Sequence, residues 1–232
     1  MVILQSVCPY VSASFSCYWK GVFMPFDCSC FQYTDEPGGL QVSVPWSTIE
    51  LSMNQRTGQL LEKLKGKSVG VFVDDSNLYH AYRKYGWRVH FGNFRKLLES
   101  HCDLRFINYH VAIPHRSDTV IHGTEKFLKN IEPFVTLKKK DLKYTPVAGK
   151  FVKKADVDIE IVLDVMRTID NLDAVIIVSG DSDYYALKDY VIKDKGKLIL
   201  FFAFEKNMAW ELKYCWHVYL DDYRKEIGID MK

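Results

Sequence analysis

Residues 174–183 read AVIIVSGDSD, an apolar run that ends in two carboxylates one serine apart. Such a run is the signature of a strand buried on both faces, and acids at its tip are costly unless something cationic lies nearby. Residues 69–77, VGVFVDDSN, repeat the design: an apolar strand, then Asp74, Asp75 and Asn77.

Working outward, further strand-like runs occupy residues 104–113, 134–137 and 197–204, with a short last one at 218–220. Amphipathic stretches at 78–85, 91–100, 119–130, 157–169, 184–194 and 208–214 alternate with them and predict helices. Continuous apolar strands separated by helices imply a parallel sheet covered on both faces. In that architecture ligands sit beyond the carboxyl ends of the strands, where strand order reverses. Both acidic endings fall at such ends.

The 232-residue chain is 48% hydrophobic and 26% charged, which describes a globular domain with an appendage. No uncharged apolar run approaches the roughly 20 residues of a membrane span. Within residues 1–52 only Lys20, Asp27, Asp35, Glu36 and Glu50 are charged, and prolines punctuate the segment. It is expected to be an extension of unknown role, with disorder one reading, followed by a helical lead-in over 53–66, a main domain over 67–224 and a tail over 225–232. Cys8, Cys17, Cys28 and Cys30 crowd the start and lack paired C-x-x-C spacing, and only Cys102 and Cys215 lie in the body. This is neither a disulfide framework nor a zinc site, and it points to a reducing compartment, the cytoplasm.

A third acidic set lies in residues 153–166, KKADVDIEIVLDVM, where Val157, Ile161 and Val165 recur at helical spacing. Asp158 falls in the first turn, where the helix dipole favours it. Asp164 is six residues on, about 240° round the helix, so the two do not point into one small site. Asp158 is the candidate for the cleft, Asp164 a structural acid, and Asp156 and Glu160 solvated. For Asp74, Asp181 and Asp183 helix capping is the competing reading, although one acid suffices for a cap and the S-G-D-S-D ending supplies two. Carboxylates brought together raise one another's proton affinity unless a hard divalent cation neutralises them. Mg²⁺ or Mn²⁺ suits such oxygen donors and supports phosphodiester hydrolysis.

Four stretches, in order, resemble the NYN domain family of PIN-like metal-dependent ribonucleases: VFVDDSNL, KKADVDIEIVLD, IIVSGDSDYYAL and GKLILFFAFEKNMAWELKYCWHVYLD. The resemblance spans about residues 67–223. It implies a three-layer α/β/α sandwich with a mainly parallel central sheet (PIN-like, Rossmannoid) and an acidic pocket of Asp74, Asn77, Asp158, Asp181 and Asp183, with Asp74, Asp158, Asp181 and Asp183 as metal ligands. The chain departs from the family pattern at Asp75, where a small residue is common, and at Asp156, where Asn or Gly often sits.

A carboxylate pocket repels a nucleic acid, so a nuclease needs cationic surface beside it. Residues 137–154 hold Lys138, Lys139, Lys140, Lys143, Lys150, Lys153 and Lys154 against the single acid Asp141. These lysines, with Arg116 after the 104–113 strand, are the candidate phosphate contacts, and Tyr144 and Phe151 the candidate stacking partners. A solvated lysine loop is the alternative. The reading is a divalent-metal-dependent endoribonuclease acting on single-stranded or structured RNA, with no membrane association. Its rival is an RNA-binding or interaction module on the same fold. Aspartyl-phosphate chemistry fits less well: residues 104–113 end in Pro114 and His115, and the D-S-D is displaced from its strand by Ser179 and Gly180. The oligomeric state is not legible.

Overall fold

The computed structural model describes residues 58–147 and 150–231 together with the backbone of 15–19 and 22–26; the side chains of Val147 and Lys150 lie outside the description. Residues 1–52 and 53–232 are separate compact units. In the first, β1 (Phe15–Trp19) and β2 (Val22–Phe26) pair antiparallel, Phe15 opposite Phe26 and Trp19 opposite Val22. The rest of the expected extension, and the side chains of its four cysteines, lie outside the described residues.

The second unit is a mixed α/β fold around a six-stranded sheet in the order β11-β10-β9-β3-β5-β6. These strands are β3 (Ser68–Asp74), β5 (Asp103–Ile113), β6 (Thr136–Asp141), β9 (Ala174–Val178), β10 (Leu198–Ala203) and β11 (His217–Tyr219). Every neighbouring pair is parallel. Alternation along the strands divides the interior in two. Val69, Val71, Val73, Ala174, Ile176, Val178, Leu200 and Phe202 enter one core, while Phe72, Val175, Ile177, Ile199 and Phe201 enter the other.

The helices cover both faces. Residues 58–62 (α1) bring Leu60 and Leu61 to the first core, joined there by α2 (Asp75–Tyr85), α3 (Phe91–Glu99) and α4 (Ile121–Ile131). On the second face, α5 (Asp158–Thr168) buries Ile161 and Val165, continuing the stripe from Val157 to Ile169. Among the described residues no helix is long and apolar enough to cross a membrane, and Cys102 and Cys215 are free thiols.

Four local expectations change. The expected helix at 184–194 is a short α6 (Tyr185–Asp189) running into a π-turn at Tyr190–Asp194. The expected helix at 208–214 yields one 3₁₀ turn at Leu212–Tyr214. The lysine segment is not a loop: Lys138, Lys139 and Lys140 lie on edge strand β6, and β7 (Lys143–Val147) pairs antiparallel with β8 (Lys150–Lys154). Edge strands favour lysine, which deters pairing with foreign strands. Residues expected as a tail carry α7 (Arg224–Ile227) and β12 (Gly228–Asp230), and β12 pairs with β4 (Trp87–Val89).

From β3 the chain proceeds to β5 and β6 on one side, then crosses to β9, β10 and β11 on the other. Strand order therefore reverses beside β3 and β9, and the crevice there opens at their carboxyl ends.

Candidate active site

Asp74, only 1% exposed, closes β3 and caps α2. Its Oδ1 accepts from Ser76 Oγ (2.8 Å) and the Asn77 backbone N–H (3.2 Å), and its Oδ2 accepts from Ser179 Oγ (3.0 Å). Burial pushes its proton affinity up, and these three bonds offset only part of that. The capping reading and the cleft reading therefore hold together at this residue: one oxygen caps, the other faces the end of β9.

Asn77, in the first turn of α2, is a clasp. Its Oδ1 accepts from the Gly180 backbone N–H (3.0 Å) and from Asn207 Nδ2 (3.0 Å). The Asp181 backbone N–H donates to Ser179 Oγ (3.2 Å), and Asp181 Oδ1 caps the turn that follows by accepting from the Asp183 backbone N–H (3.0 Å). The surplus acid of S-G-D-S-D is thus Asp183, which is exposed.

Asp158 opens α5 and accepts at Oδ1 from Tyr184 OH (2.8 Å). Its carboxyl is pushed up to about 6 by burial, then by Asp156 and by the charge of Asp74, with the Tyr184 bond opposing. Burial and the charges of Asp74, Asp158 and Asp181 together push the Tyr184 hydroxyl far above its ordinary range. Tyr184 is therefore the point at which those three acids meet electrostatically. Asp183 joins them through its backbone alone.

Of the remaining acids, Asp156 meets the cleft through its bond to the Asp158 carboxyl, and the others lie to its sides. Tyr109 OH donates to Asp75 Oδ1, and burial pushes Asp75 up to about 6; Tyr109 belongs to the first core, so this bond draws the Asp75 carboxyl toward the face of the sheet opposite α5. Asp156 and Glu160, expected as solvated, are paired with Lys154 (2.9 Å) and Lys140 (2.6 Å). Asp164 is structural as expected, accepting from Asn108 Nδ2 (2.7 Å).

The cationic candidates divide likewise. Lys138 faces Asp164 (3.7 Å) and Lys153 bonds Asp118 (2.6 Å), whereas Lys139, Lys143 and Arg116 make no ion pair with a described residue. Lys154, paired with Asp156, also feels the charge of Asp158 and so stands near the cleft. Tyr144 is held by its hydroxyl, which accepts from the His115 backbone N–H (2.8 Å) and donates to Asp118 (3.0 Å). Phe151, 72% exposed, is free.

The donors at the cleft are all oxygens, and Asp74 and Asp158 repel each other with no cation among the described residues bonded to either. That chemistry fits a hard divalent ion. Among the described residues no group of three or more His, Cys, Asp or Glu side chains is disposed to hold a metal. Mg²⁺ needs only one or two direct carboxylates, the remainder of its shell being water.

Residues that the motifs alone do not single out complete the site. Ser179 and Tyr184 flank the acids within S-G-D-S-D-Y, and the motif itself offers them as hydrogen-bond partners. Asn207 lies 130 residues from Asn77 and carries no local signal. Gly180 provides close approach: a Cβ there would meet Asn207 O at 2.2 Å and Met208 Cα at 3.0 Å, both backbone. Gly180→Ala should cost about 1–3 kcal/mol, lowering the melting temperature by roughly 3–10 °C in a domain of this size. An unchanged melting curve would mean that the two loops do not touch.

Fold and site together define a doubly wound α/β domain with a carboxylate-lined crevice at its topological switch point. The NYN domain model matches residues 68–221, and the chain belongs to that family, whose fold is of the PIN-like nuclease type. Over 157 residues it is 23% identical to the low amplitude and bright protein LabA of Synechococcus elongatus, covering 66% of this chain and 82% of that one. The fold is similar, with a TM-score of 0.56 and 20% identity, to the crystal structure of VPA0982, a Vibrio parahaemolyticus protein of unknown function, covering 68% of this chain and 95% of that one.

Proposed function

We propose that the chain is a divalent-metal-dependent endoribonuclease of the cytoplasm that hydrolyses single-stranded or structured RNA, with residues 67–224 as its catalytic domain. The observation carrying this reading is the pairing of Asp74 and Asp158 at the switch point, where burial raises the hold of each on a proton and the charge of Asp74 raises that of Asp158 further, with no cation among the described residues bonded to either. Asp74 and Asp181 would ligate Mg²⁺ or Mn²⁺ directly, and Asp158 and Asp183 would hold its water shell. When bound, the cation would polarise the scissile phosphate and make water a better nucleophile.

The remaining tasks fall to the chain's own groups. Ser179 fixes the rotamer of Asp74 and the backbone of Asp181 at once. Tyr184 holds Asp158. Asn77 uses its oxygen on Gly180 and Asn207, which leaves its amide nitrogen for a phosphate oxygen. Lys154 and Lys153 on β8 suit phosphate contacts, and Phe151 suits an unstacked base.

The absence of a three-residue metal cluster among the described residues favours, as a second reading, a binding module without turnover. Incubating the protein with labelled single-stranded RNA separates the two. Mg²⁺-dependent cleavage that disappears on adding EDTA carries the nuclease, whereas RNA that is bound yet intact with both Mg²⁺ and Mn²⁺ carries the module. A ligating ion should also raise the melting temperature, since anything that binds only the folded state stabilises it, by about 2.7 kcal/mol at a hundredfold excess over its dissociation constant. A melting temperature indifferent to both ions would sink the proposed metal site.

A further inference from the structure

A second cavity, of about 340 Å³, lies on the α5 side of the sheet, lined by His110, Lys138, Lys139, Lys140, Asp164 and Arg167 among others. Its size falls within the roughly 300–1,000 Å³ of small-ligand pockets. His110, on β5, is 2% exposed, yet neither ring nitrogen has a hydrogen-bond partner among the described residues. Nε2 stands 3.1 Å from Asp164 Oδ2 but is not aligned for a hydrogen bond, and that oxygen already accepts from Asn108. A buried polar group left unpaired costs about 1–3 kcal/mol, so such exceptions call for a ligand.

The charges lining the cavity decide which ligand. Lys138 and Lys140 answer Asp164 and Glu160. Arg167 is left over, exposed and without an ion pair to a described residue, whereas Lys139, the register partner of Val111 of the first core, projects from the other face of the sheet. The surplus is positive, and a guanidinium beside an imidazole is a forked set of donors for a tetrahedral oxyanion.

Position decides the source. His110 is the register partner of Asp74 across the β3–β5 ladder, where strands lie about 4.8 Å apart. Val157, which also lines the cavity, immediately precedes Asp158, and Asp164 lies about 9 Å along α5 from Asp158. The cavity is thus a neighbour of the acidic cleft.

We propose that this cavity receives a phosphate of the same RNA chain that the acidic cleft cuts, bound by His110 and Arg167. The role of the RNA rests on the nuclease reading; the binding of phosphate does not. The test is run in EDTA, where cleavage cannot intervene. Anisotropy of a labelled single-stranded oligouridylate should show the Arg167→Gln variant binding about 3- to 5-fold more weakly than wild type. Its log–log salt slope should be shallower by about 0.7, because one side chain no longer neutralises a single-strand phosphate. The substituted side chain is exposed, so folding is spared. In parallel, inorganic phosphate should shift the His110 ring resonances, assigned from their loss in His110→Phe, and the oligouridylate should displace it.

Wild-type affinity and slope in Arg167→Gln would overturn the proposal, as would His110 resonances indifferent to phosphate. Phosphate that binds without competing with the oligouridylate would mark a site for a free anion and overturn the assignment to RNA. Because every arm omits the metal, a chain that never cleaves RNA can still pass, and one that cleaves can still fail.

Discussion

Asp181→Asn is expected to lower Mg²⁺-dependent RNA cleavage by about 10²- to 10³-fold while leaving the fold intact. Replacing one anionic donor with a neutral one removes several kcal/mol of electrostatic stabilisation at the reacting centre, and each 1.36 kcal/mol is tenfold in rate. Asp181 is a better choice than Asp74 for this experiment. Asp74 accepts hydrogen bonds from Ser76, Asn77 and Ser179, so its replacement perturbs a helix cap as well as the chemistry. Asp181 uses one oxygen on the Asp183 backbone, a bond that an asparagine carbonyl can keep. The gain in melting temperature from Mg²⁺ should vanish in the same variant. Cleavage at the wild-type rate would remove Asp181 from the catalytic set.

The second large effect is on stability in acid. Burial depresses His110 to about 4 from an ordinary 6.5; Asp164 and Glu160 pull the other way, and Lys138 adds to the depression. A histidine whose folded value is depressed binds fewer protons folded than unfolded, so stability rises with pH between the two values. At and above pH 6.5 no penalty applies. As pH falls towards 4 the penalty grows to about 3 kcal/mol.

Carboxylates complicate the whole-protein curve, because Asp74, Asp75 and Asp158, all raised, gain stability over the same interval. The measurement is therefore a difference. Chemical denaturation of His110→Phe and wild type at pH 7 and pH 4 should show the variant improving relative to wild type by about 3 kcal/mol on acidification. A difference independent of pH would show that His110 is not held neutral.

Legibility in the sequence followed the range of the forces involved. The strands β3, β9 and β10 were evident because burial on both faces demands unbroken apolar runs, and Asp74 and Asp181 were evident because they interrupt those runs. Alternation with helices was enough to imply a parallel sheet, and the six-stranded parallel order bears this out. The stripe Val157, Ile161, Val165 located α5, and with it the separation of Asp158 from Asp164. What stayed hidden depended on partners far along the chain. Nothing near Lys143 announces that it faces Lys154 in a hairpin, because an amphipathic two-stranded ribbon of lysines resembles a solvated loop. The short helix α7 and strand β12 hold because Ile227 enters the first core, Asn93 bonds the Glu226 carbonyl and β4 offers Trp87–Val89 as an edge. His110 carries no local signal, since its isolation is a property of its surroundings.

One amide oxygen, that of Asn77, is where residues 77, 180 and 207 are knotted together. In a genetic screen for loss of activity, positions 77 and 207 should therefore surface with the same defect, and changing both should do little more harm than changing either. Distance along the chain conceals from the geneticist what a single lone-pair-bearing atom makes inseparable.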